Sequence, residues 1–196
     1  MNVERVGGTK DLKVERIAAL RPDLVIANKE ENVREQVEAC GAFADVLVTD
    51  IRTVEGAWAA MLEVAEAVGA VAAGRTWVER IREAWGEPRP ARMRAAYCVW
   101  REPLMVAGGD TYISDVMRWW GIENAFGSES RYPMADAAKW QAARPEVVLL
   151  PSEPFPFKER HQAEFAEPTT LVDGEAFSWY GSRMWHAVGS LRQFGG

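Results

Sequence analysis

Two stretches of the chain, 123 residues apart, follow the same order of residue types. Residues 18–27 read Ala-Ala-Leu-Arg-Pro-Asp-Leu-Val-Ile-Ala, and residues 141–150 read Gln-Ala-Ala-Arg-Pro-Glu-Val-Val-Leu-Leu. Proline stops a helix, and a short apolar run bounded in this way is typical of a buried strand in a parallel sheet. The repeat therefore predicts two similar α/β lobes, with chance similarity of two common helix-to-strand joints as the alternative.

The segments after the two joints support the repeat. A helical pattern over residues 30–39 and a strand pattern over 45–49 follow the first joint. A helical pattern over residues 157–166 and a strand pattern over 170–172 follow the second. Because helix and strand alternate in both places, the sequence favours βαβ units with parallel sheets.

A long helical stretch separates the two lobes. Residues 53–85 carry apolar side chains at helical spacing and contain no proline. Thr53 is the expected N-cap, Gly69 and Gly74 are candidate points of division into two helices, and the Gly- and Pro-containing residues 86–90 end the stretch.

These boundaries define an N-terminal lobe (1–52), a connecting helix region (53–88) and a C-terminal lobe (89–196). The second lobe opens with a strand 50 residues before Arg144, whereas only 20 residues precede Arg21. The first lobe is therefore expected to lack a strand and a helix. The predicted fold class is α/β, with two Rossmann-like lobes joined by a long backbone helix and a truncated first lobe.

Composition excludes several classes of protein. The chain has 23 Lys and Arg against 29 Asp and Glu, a net charge of −6, which argues against a nucleic-acid partner. No apolar run reaches the ~20 residues that span a bilayer, and the start of the chain has no signal-peptide pattern. We expect no transmembrane segment. The expected location is cytoplasmic for the chain as written, or periplasmic or otherwise extracytoplasmic if an upstream signal segment is missing.

The motifs of common enzymes and metal sites do not occur in the sequence. There is no GxGxxG, Walker or GxSxG sequence, and neither histidine has a metal-spaced neighbour, so we predict no enzyme, no catalytic residue and no metal site. Cys40 and Cys98 are expected to be buried thiols, with a disulfide between them left open. The strongest candidates for a reactive group are Glu153, Asp173 and Glu175, for which capping of neighbouring helices is the alternative.

Aromatic residues mark the candidate ligand site. Trp100, Trp179 and Tyr180 come just after strand-like segments, where open α/β sheets present their ligand crevice, although ordinary packing is the alternative for each. Loops 28–32 and 151–157 follow the two repeated strands. We expect these loops to face each other across a cleft between the lobes, which is where a ligand is predicted to bind.

A glycine pair precedes the predicted helix at residues 112–120. Gly108 and Gly109 could form an anion-binding turn, because free N–H groups at a helix start favour negative charge. The alternative is an ordinary strand-to-helix turn with Asp110 or Thr111 as the N-cap.

Several motifs in combination resemble one family over essentially the whole chain. They are similar to the helical-backbone substrate-binding proteins of ABC importers, of the iron-siderophore and cobalamin type, and most of all to the cobalamin-binding branch. The resemblance implies two α/β lobes joined by one long helix, with a strand and a helix ahead of the Val-Gly-Gly motif that this chain lacks. The segments that carry it are residues 6–10, 14–27, 107–126, 131–133, 149–155 and 173–183.

The resemblance also implies roles for particular residues. Tyr132 matches an aromatic position of the family's cleft, Met105 falls at another, and Arg183 matches a polar one. Thr9 and Asn28 fall where the cobalamin-binding relatives have tryptophan. With the aromatic residues above, the predicted ligand-binding set is Thr9, Asn28, Trp100, Met105, Tyr132, Phe155, Trp179, Tyr180 and Arg183.

Family members present one acidic residue per lobe to arginines of the membrane permease. Glu15 matches the first of these positions and is the predicted permease-docking residue. The second position falls at Ala138, and Asp136 lies nearby but out of register.

The predicted function is that of a monomeric small-molecule binding protein of the periplasmic-binding type. It would hold a cobalamin-like or ferric-chelate ligand in the interlobe cleft, as a bound ligand and not as a cofactor, and serve an ABC importer. The alternative is a cytoplasmic ligand-binding or sensing protein of the same fold, and a cleft enzyme is a third hypothesis.

Overall fold

The structure, a computed structural model, describes residues 3–195. Within this range the strands are β1 (Gly7–Gly8), β2 (Asp11–Leu12), β3 (Leu24–Asn28), β4 (Asp45–Thr49), β5 (Met93–Trp100), β6 (Met105–Val106), β7 (Ile122–Asn124), β8 (Val147–Pro151) and β9 (Thr169–Val172). The helices are α1 (Val14–Leu20), α2 (Arg34–Cys40), α3 (Val54–Ala67), α4 (Val71–Trp85), α5 (Tyr112–Trp119), α6 (Ala137–Ala143), α7 (Glu159–Gln162), α8 (Gly174–Ser178) and α9 (Arg183–Gly195).

These elements divide into two units. Unit 1 contains residues 3–51 and 59–74, and unit 2 contains residues 52–58 and 75–195. The helical stretch predicted between the lobes is thus shared between the two units.

Unit 1 holds two small sheets. Strands β1 and β2 form an antiparallel pair, and β3 lies parallel to β4 from the pair Leu24–Asp45 to the pair Asn28–Thr49. Helices α1 and α2 pack together and bury small and branched side chains, among them Ile17. Ile26 of β3 and Val48 of β4 are nevertheless 47% and 48% exposed, so this sheet is only partly covered.

Unit 2 is built on a five-stranded sheet in the order β6-β5-β8-β9, with β7 paired to the first residues of β5. Strands β5, β7, β8 and β9 are parallel, and β6 is antiparallel. The middle of β5 and of β8 is fully buried, which explains their nearly uninterrupted apolar sequence. Parallel β5, β8 and β9 end at one edge of the sheet, which positions the loops of the candidate site.

The internal repeat is present in the structure. Helix α6 and strand β8 reproduce α1 and β3 at an offset of 123 residues at both ends of each element. The prediction of α/β units built on a repeated helix-to-strand joint is therefore confirmed. The two strands differ in their neighbours, because β8 lies between β5 and β9, whereas β3 pairs only with β4 among the described residues.

The connecting helical stretch is two helices and not one continuous helix. The division at Gly69 is confirmed, since this residue has a φ of +70° between α3 and α4. The other candidate, Gly74, is wrong as a break, because it lies inside α4, where a Cβ atom would come within 2.3 Å of the Cβ of Ala65. Thr53 caps α3 as predicted, accepting a hydrogen bond from the backbone N–H of Gly56 at 2.9 Å.

Four of the nine tryptophans form the aromatic core of unit 2. Trp119 contacts Trp58 edge-on at 5.2 Å between ring centroids, and Trp85 contacts Trp120 at 5.7 Å. The indole N–H of Trp85 donates to the carbonyl oxygen of Met184 at 2.8 Å, which ties α4 to α9. Trp58, Trp85, Trp119 and Trp120 are all buried.

The structure also bears on the predictions for the two cysteines, for the helix over residues 157–166 and for membrane-spanning helices. Cys40 and Cys98 are buried free thiols, as expected. The helix predicted over residues 157–166 is short, because only Glu159–Gln162 is helical. Within residues 3–195, no helix has the length and apolar character needed to cross a membrane.

Candidate functional site

The candidate site lies in unit 2, at the edge where the parallel strands end. Strand β5 ends at Trp100, β8 ends at Pro151, and β9 ends at Val172. The loops that follow these strands carry most of the predicted ligand-binding residues. Ligands of open α/β sheets bind outside the carboxyl ends of the strands, so the topology brings the predicted residues of unit 2 to the favoured end.

An aromatic pair forms one part of this edge. The rings of Trp100 and Phe155 meet edge-to-face at 5.7 Å between centroids, and Phe155 in turn packs on buried Phe157 at 4.8 Å. Trp100 is 44% exposed, so its contact with Phe155 leaves part of the residue open to solvent. Met105 is the register partner of Trp100 across β5 and β6, so three predicted residues meet here.

A second aromatic side chain is oriented by a carboxylate. Trp179 is 50% exposed, and its indole N–H donates to Oε1 of Glu153. The hydroxyl of Ser178 lies 3.3 Å from the same oxygen, and its shorter acceptor is the carbonyl oxygen of Gly174 at 2.8 Å. Gly174 allows this arrangement, because a Cβ there would come within 2.7 Å of the carbonyl oxygen of Glu153 and within 2.8 Å of its Cγ. The loop after β8 and the segment around α8 thus fit together through backbone contact.

Three further predicted residues of unit 2 make local contacts. Tyr180 packs edge-to-face on buried Tyr112, with 5.5 Å between the ring centroids, so part of the Tyr180 ring is in contact with the interior of unit 2. Arg183 pairs with Glu175. Tyr132 is half-buried under the guanidinium of Arg131, at 5.5 Å from the ring centroid.

In unit 1, one asparagine links the two predicted ligand-binding positions. The side-chain amide of Asn32 donates to the carbonyl oxygen of Thr9 at 3.1 Å. The side-chain oxygen Oδ1 of Asn32 accepts a hydrogen bond from the backbone N–H of Asn28 at 2.8 Å. The Asn28 side chain itself donates to the hydroxyl of Thr49 at 3.1 Å. The predicted ligand-binding set did not include Asn32. Its position in loop 28–32, which was expected to face the ligand, could have indicated it.

The predicted docking residue also lies in unit 1. Glu15 is exposed on the first turn of α1 and lines a pocket of about 500 Å³ together with Arg5, Lys13 and Arg16. At the corresponding position of α6, Ala138 is exposed, and neighbouring Asp136 is the N-cap of that helix.

The carboxylates considered as reactive groups have structural partners. Asp173 is the N-cap of α8, accepting the backbone N–H of Glu175 at 3.1 Å, and its other oxygen accepts the hydroxyl of Ser190 at 3.2 Å. The capping interpretation is confirmed for Asp173. Burial raises the pKa of the Tyr97 hydroxyl beneath the site well above its usual value, and the charges of Glu153 and Asp173 add to this effect.

The glycine pair forms a turn and not an anion site. The backbone N–H groups of Gly108 and Gly109 donate to the carbonyl oxygens of Arg131 and Glu129, both at 2.8 Å. Thr111 caps α5 through a hydrogen bond from the backbone N–H of Ser114 at 3.2 Å. Within the part of the chain that the structure describes, no group of three or more His, Cys, Asp or Glu side chains could hold a metal ion.

Comparison with known proteins gives one family and a consistent set of relatives. The family described as "Periplasmic binding protein" matches residues 2–167. The vitamin B12-binding protein of Pectobacterium carotovorum is 25% identical, over 93% of this chain and 70% of that protein. The vitamin B12-binding protein of Vibrio campbellii is 27% identical, over 76% of this chain and 56% of that protein. The chain therefore spans only part of the length of these relatives.

Two solved structures share the fold. The periplasmic haem-binding protein BhuT, in complex with two haems, superposes with a TM-score of 0.76 at 23% identity and covers 96% of this chain and 80% of its own. The periplasmic vitamin B12-binding protein BtuF of Vibrio cholerae gives a TM-score of 0.73 at 19% identity and covers 98% and 81%. At these identities the likeness establishes the α/β fold.

Proposed function

The chain belongs to the periplasmic binding protein family, and on this premise we propose that it binds a flat, metal-containing macrocycle of the cobalamin or haem type and delivers it to an ABC permease. The observation that carries the proposal is the exposed aromatic set at the carboxyl edge of the unit 2 sheet, formed by Trp100, Phe155 and Trp179. Relatives named for vitamin B12 and a structural neighbour named for haem support the choice of ligand class.

The chemistry of the site suits such a ligand. Aromatic rings offer large apolar area with little loss of conformational entropy on binding, because each has only two side-chain torsions. Trp100 and Trp179 are further restrained by Phe155 and Glu153, which lowers the entropy cost of binding. That the ligand also contacts Thr9 and Asn28 of unit 1 remains a prediction from the resemblance.

We propose a binding role and not a catalytic one. Of the three candidate carboxylates, Glu153 accepts a hydrogen bond from Trp179, Asp173 caps α8, and Glu175 pairs with Arg183. Each carboxylate thus has a structural partner, and it would have to break that interaction to act as an acid or a base during turnover.

Direct titration tests the ligand. Cyanocobalamin is followed by isothermal calorimetry and haemin by difference absorbance, with wild type, Trp100→Ala and Trp77→Ala. Trp77 is the matched control because it is a half-buried tryptophan of α4 that contacts Arg80. We expect Trp100→Ala to weaken binding about tenfold or more, since truncating an aromatic anchor costs about 2 kcal/mol. Equal affinity of both variants, or no binding of either compound to wild type, would contradict the proposal.

Delivery to a permease is tested separately through Glu15. The chain, exported by a fused signal sequence, is supplied to cells that lack their own vitamin B12-binding protein, and growth on limiting cobalamin is measured. We expect Glu15→Arg to abolish growth while cobalamin affinity stays unchanged, because it reverses the charge of an exposed residue of α1. Normal growth of this variant would show that Glu15 is not part of the surface that docks on the permease.

A further inference from the structure

We propose that a second pocket of unit 2, separate from the aromatic loops, binds a small organic molecule through a phosphate-type dianion held by Arg89. The pocket measures about 540 Å³ and lies along the edge strand β7. None of Trp100, Phe155 and Trp179 lines it. The charged side chains that line it are Arg89, Arg94, Asp115, Arg118 and Glu123.

Two of the three arginines are neutralised by the carboxylates of the same pocket. Arg118 pairs with Asp115 at 2.8 Å, and Arg94 pairs with Glu123. Arg94 is also fixed by hydrogen bonds to the carbonyl oxygens of Ala143 and Ala125, both at 3.1 Å. These pairs leave Arg89 as the one arginine of the pocket lining that has no carboxylate partner among residues 3–195.

Arg89 is held in place without an acidic partner. Its guanidinium lies over the buried indole of Trp120, with Cζ 3.8 Å from the ring centroid. One N–H donates to the carbonyl oxygen of Trp85 at 3.3 Å. Among residues 3–195, no carboxylate forms an ion pair with it. A stacked guanidinium with free donors is well suited to bind two oxygens of a phosphate or carboxylate at once.

Further positive charge near Arg89 favours a dianion over a monoanion. Partial burial lowers the pKa of Arg89, and the charges of Arg92 and Arg192 lower it further. Arg92 and Arg192 do not line the pocket, but their charges act on Arg89, and an anion bound to Arg89 would reduce this repulsion. A phosphate group supplies nearly two negative charges at neutral pH, whereas a single carboxylate supplies one.

The size of the pocket indicates a ligand larger than the anion alone. Pockets for small organic ligands measure roughly 300–1,000 Å³, and this one lies within that range. Exposed Ser128 and Gly127 line the pocket next to the arginines and offer polar groups to the rest of the ligand. The ligand class is thus a phosphorylated small molecule.

Inorganic phosphate is the probe that tests the proposal. Binding is measured by calorimetry and by the midpoint of thermal unfolding, at constant ionic strength set with chloride so that general screening is equal. We expect saturable binding of phosphate and sulfate, no comparable effect of acetate, and at least a tenfold loss of phosphate affinity in Arg89→Gln. Arg75→Gln, at an exposed arginine of α4, is the matched control and should bind phosphate like wild type.

Defined outcomes would overturn the proposal. The proposal is wrong if phosphate raises the midpoint of thermal unfolding no more than chloride does. It is also wrong if the Arg89→Gln variant binds phosphate with the affinity of wild type. If Arg89→Gln does not fold, Arg92→Gln serves in its place, with an expected threefold or larger loss, and unchanged affinity there counts against the proposal. Cobalamin titration of the same variants should show no change, so failure of this site and failure of the macrocycle site are distinguishable.

Discussion

The indole N–H of Trp179 donates to the carboxylate of Glu153, 26 residues earlier in the chain. A half-exposed aromatic ring is thereby oriented by a charge from a different loop. The backbone and Cγ of the same glutamate lie against Gly174, so the segment after β9 is positioned by one residue of the loop after β8.

The first prediction is that Glu153→Ala weakens macrocycle binding by about tenfold, because a hydrogen bond to a charged group contributes about 1.5–3 kcal/mol to the orientation of Trp179. Glu153→Gln keeps one carbonyl acceptor and should recover most of the affinity. Calorimetry gives the affinity, and acrylamide quenching of tryptophan emission reports the released ring. A Glu153→Ala variant with wild-type affinity would show that Trp179 needs no anchor.

A second prediction concerns the repeated joint. Arg21 and Arg144 are exposed C-caps in the left-handed conformation, at φ of 50° and 45°, where glycine is favoured and other residues cost about 1 kcal/mol. Arg144→Gly should therefore raise the free energy of unfolding by up to about 1 kcal/mol in urea. Arg75→Gly, inside α4, should lower it by a similar amount. If Arg144→Gly lowers the free energy of unfolding, the side chain of Arg144 stabilises the protein by more than its left-handed backbone conformation costs.

A third prediction tests the close approach of α3 and α4. Gly74→Ala should lower the free energy of unfolding by about 1–3 kcal/mol, because the new Cβ would lie 2.3 Å from that of Ala65, even though alanine is the better helix former. The double variant Ala65→Gly/Gly74→Ala should recover most of the loss. Additive effects of the two changes would show that contact with Ala65 is not the cause of the loss.

A fourth prediction follows from buried acidic protons. Burial raises the pKa of the Cys98 thiol and of the Tyr97 and Tyr112 hydroxyls. The folded protein therefore keeps these protons above about pH 8.5 for cysteine and about pH 10 for tyrosine, where the unfolded chain has lost them. Stability is thus fully present below these values and falls as the pH rises, by up to about 1.4 kcal/mol per pH unit for each group.

Urea unfolding between about pH 8 and about pH 10.5 checks this. Cys98→Ala and Tyr97→Phe should each flatten the decline in stability relative to wild type. Tyr97→Phe is a mild change, because the hydroxyl is buried and has no hydrogen-bond partner among the described residues. A decline of the same slope in all three proteins would contradict the assignment to these groups.

Much of the fold was predictable because its signals are local. The Arg-Pro joint defines both a helix end and a buried strand, and β4 was predicted with its observed bounds, Asp45–Thr49. Strands β6 and β7 were not predicted, since two or three residues carry no period and pair only where β5 offers an edge. The prediction of a break at Gly74 was wrong because a glycine in a helical pattern can also mark close packing, and only the neighbouring Ala65 in the folded chain distinguishes the two.

For the site, sequence reasoning located loops but not contacts. Parallel strands end at one edge, which was enough to bring Trp100 and Phe155 to the same place. The bond from Trp179 to Glu153 and the role of Asn32 depend on how separate loops pack, and no spacing along the chain encodes that. Arg89 gave no signal either, because its lack of a carboxylate partner is a property of the folded surface.

Among residues 3–195, β3 pairs with one strand and β8 with two, and this difference gives the molecule two levels of local stability. In β8, hydrogen-bonded strands on both edges and complete burial of most of its residues mean that its amides exchange with solvent only through large-scale unfolding. In β3, one edge pairs with β4, and half of the Ile26 side chain is exposed, so small openings suffice. Deuterium should therefore enter the β3–β4 ladder well before the β5–β8 ladder. Conditions that unfold unit 1 while unit 2 stays native follow from the same difference, and unfolding curves should then show two transitions.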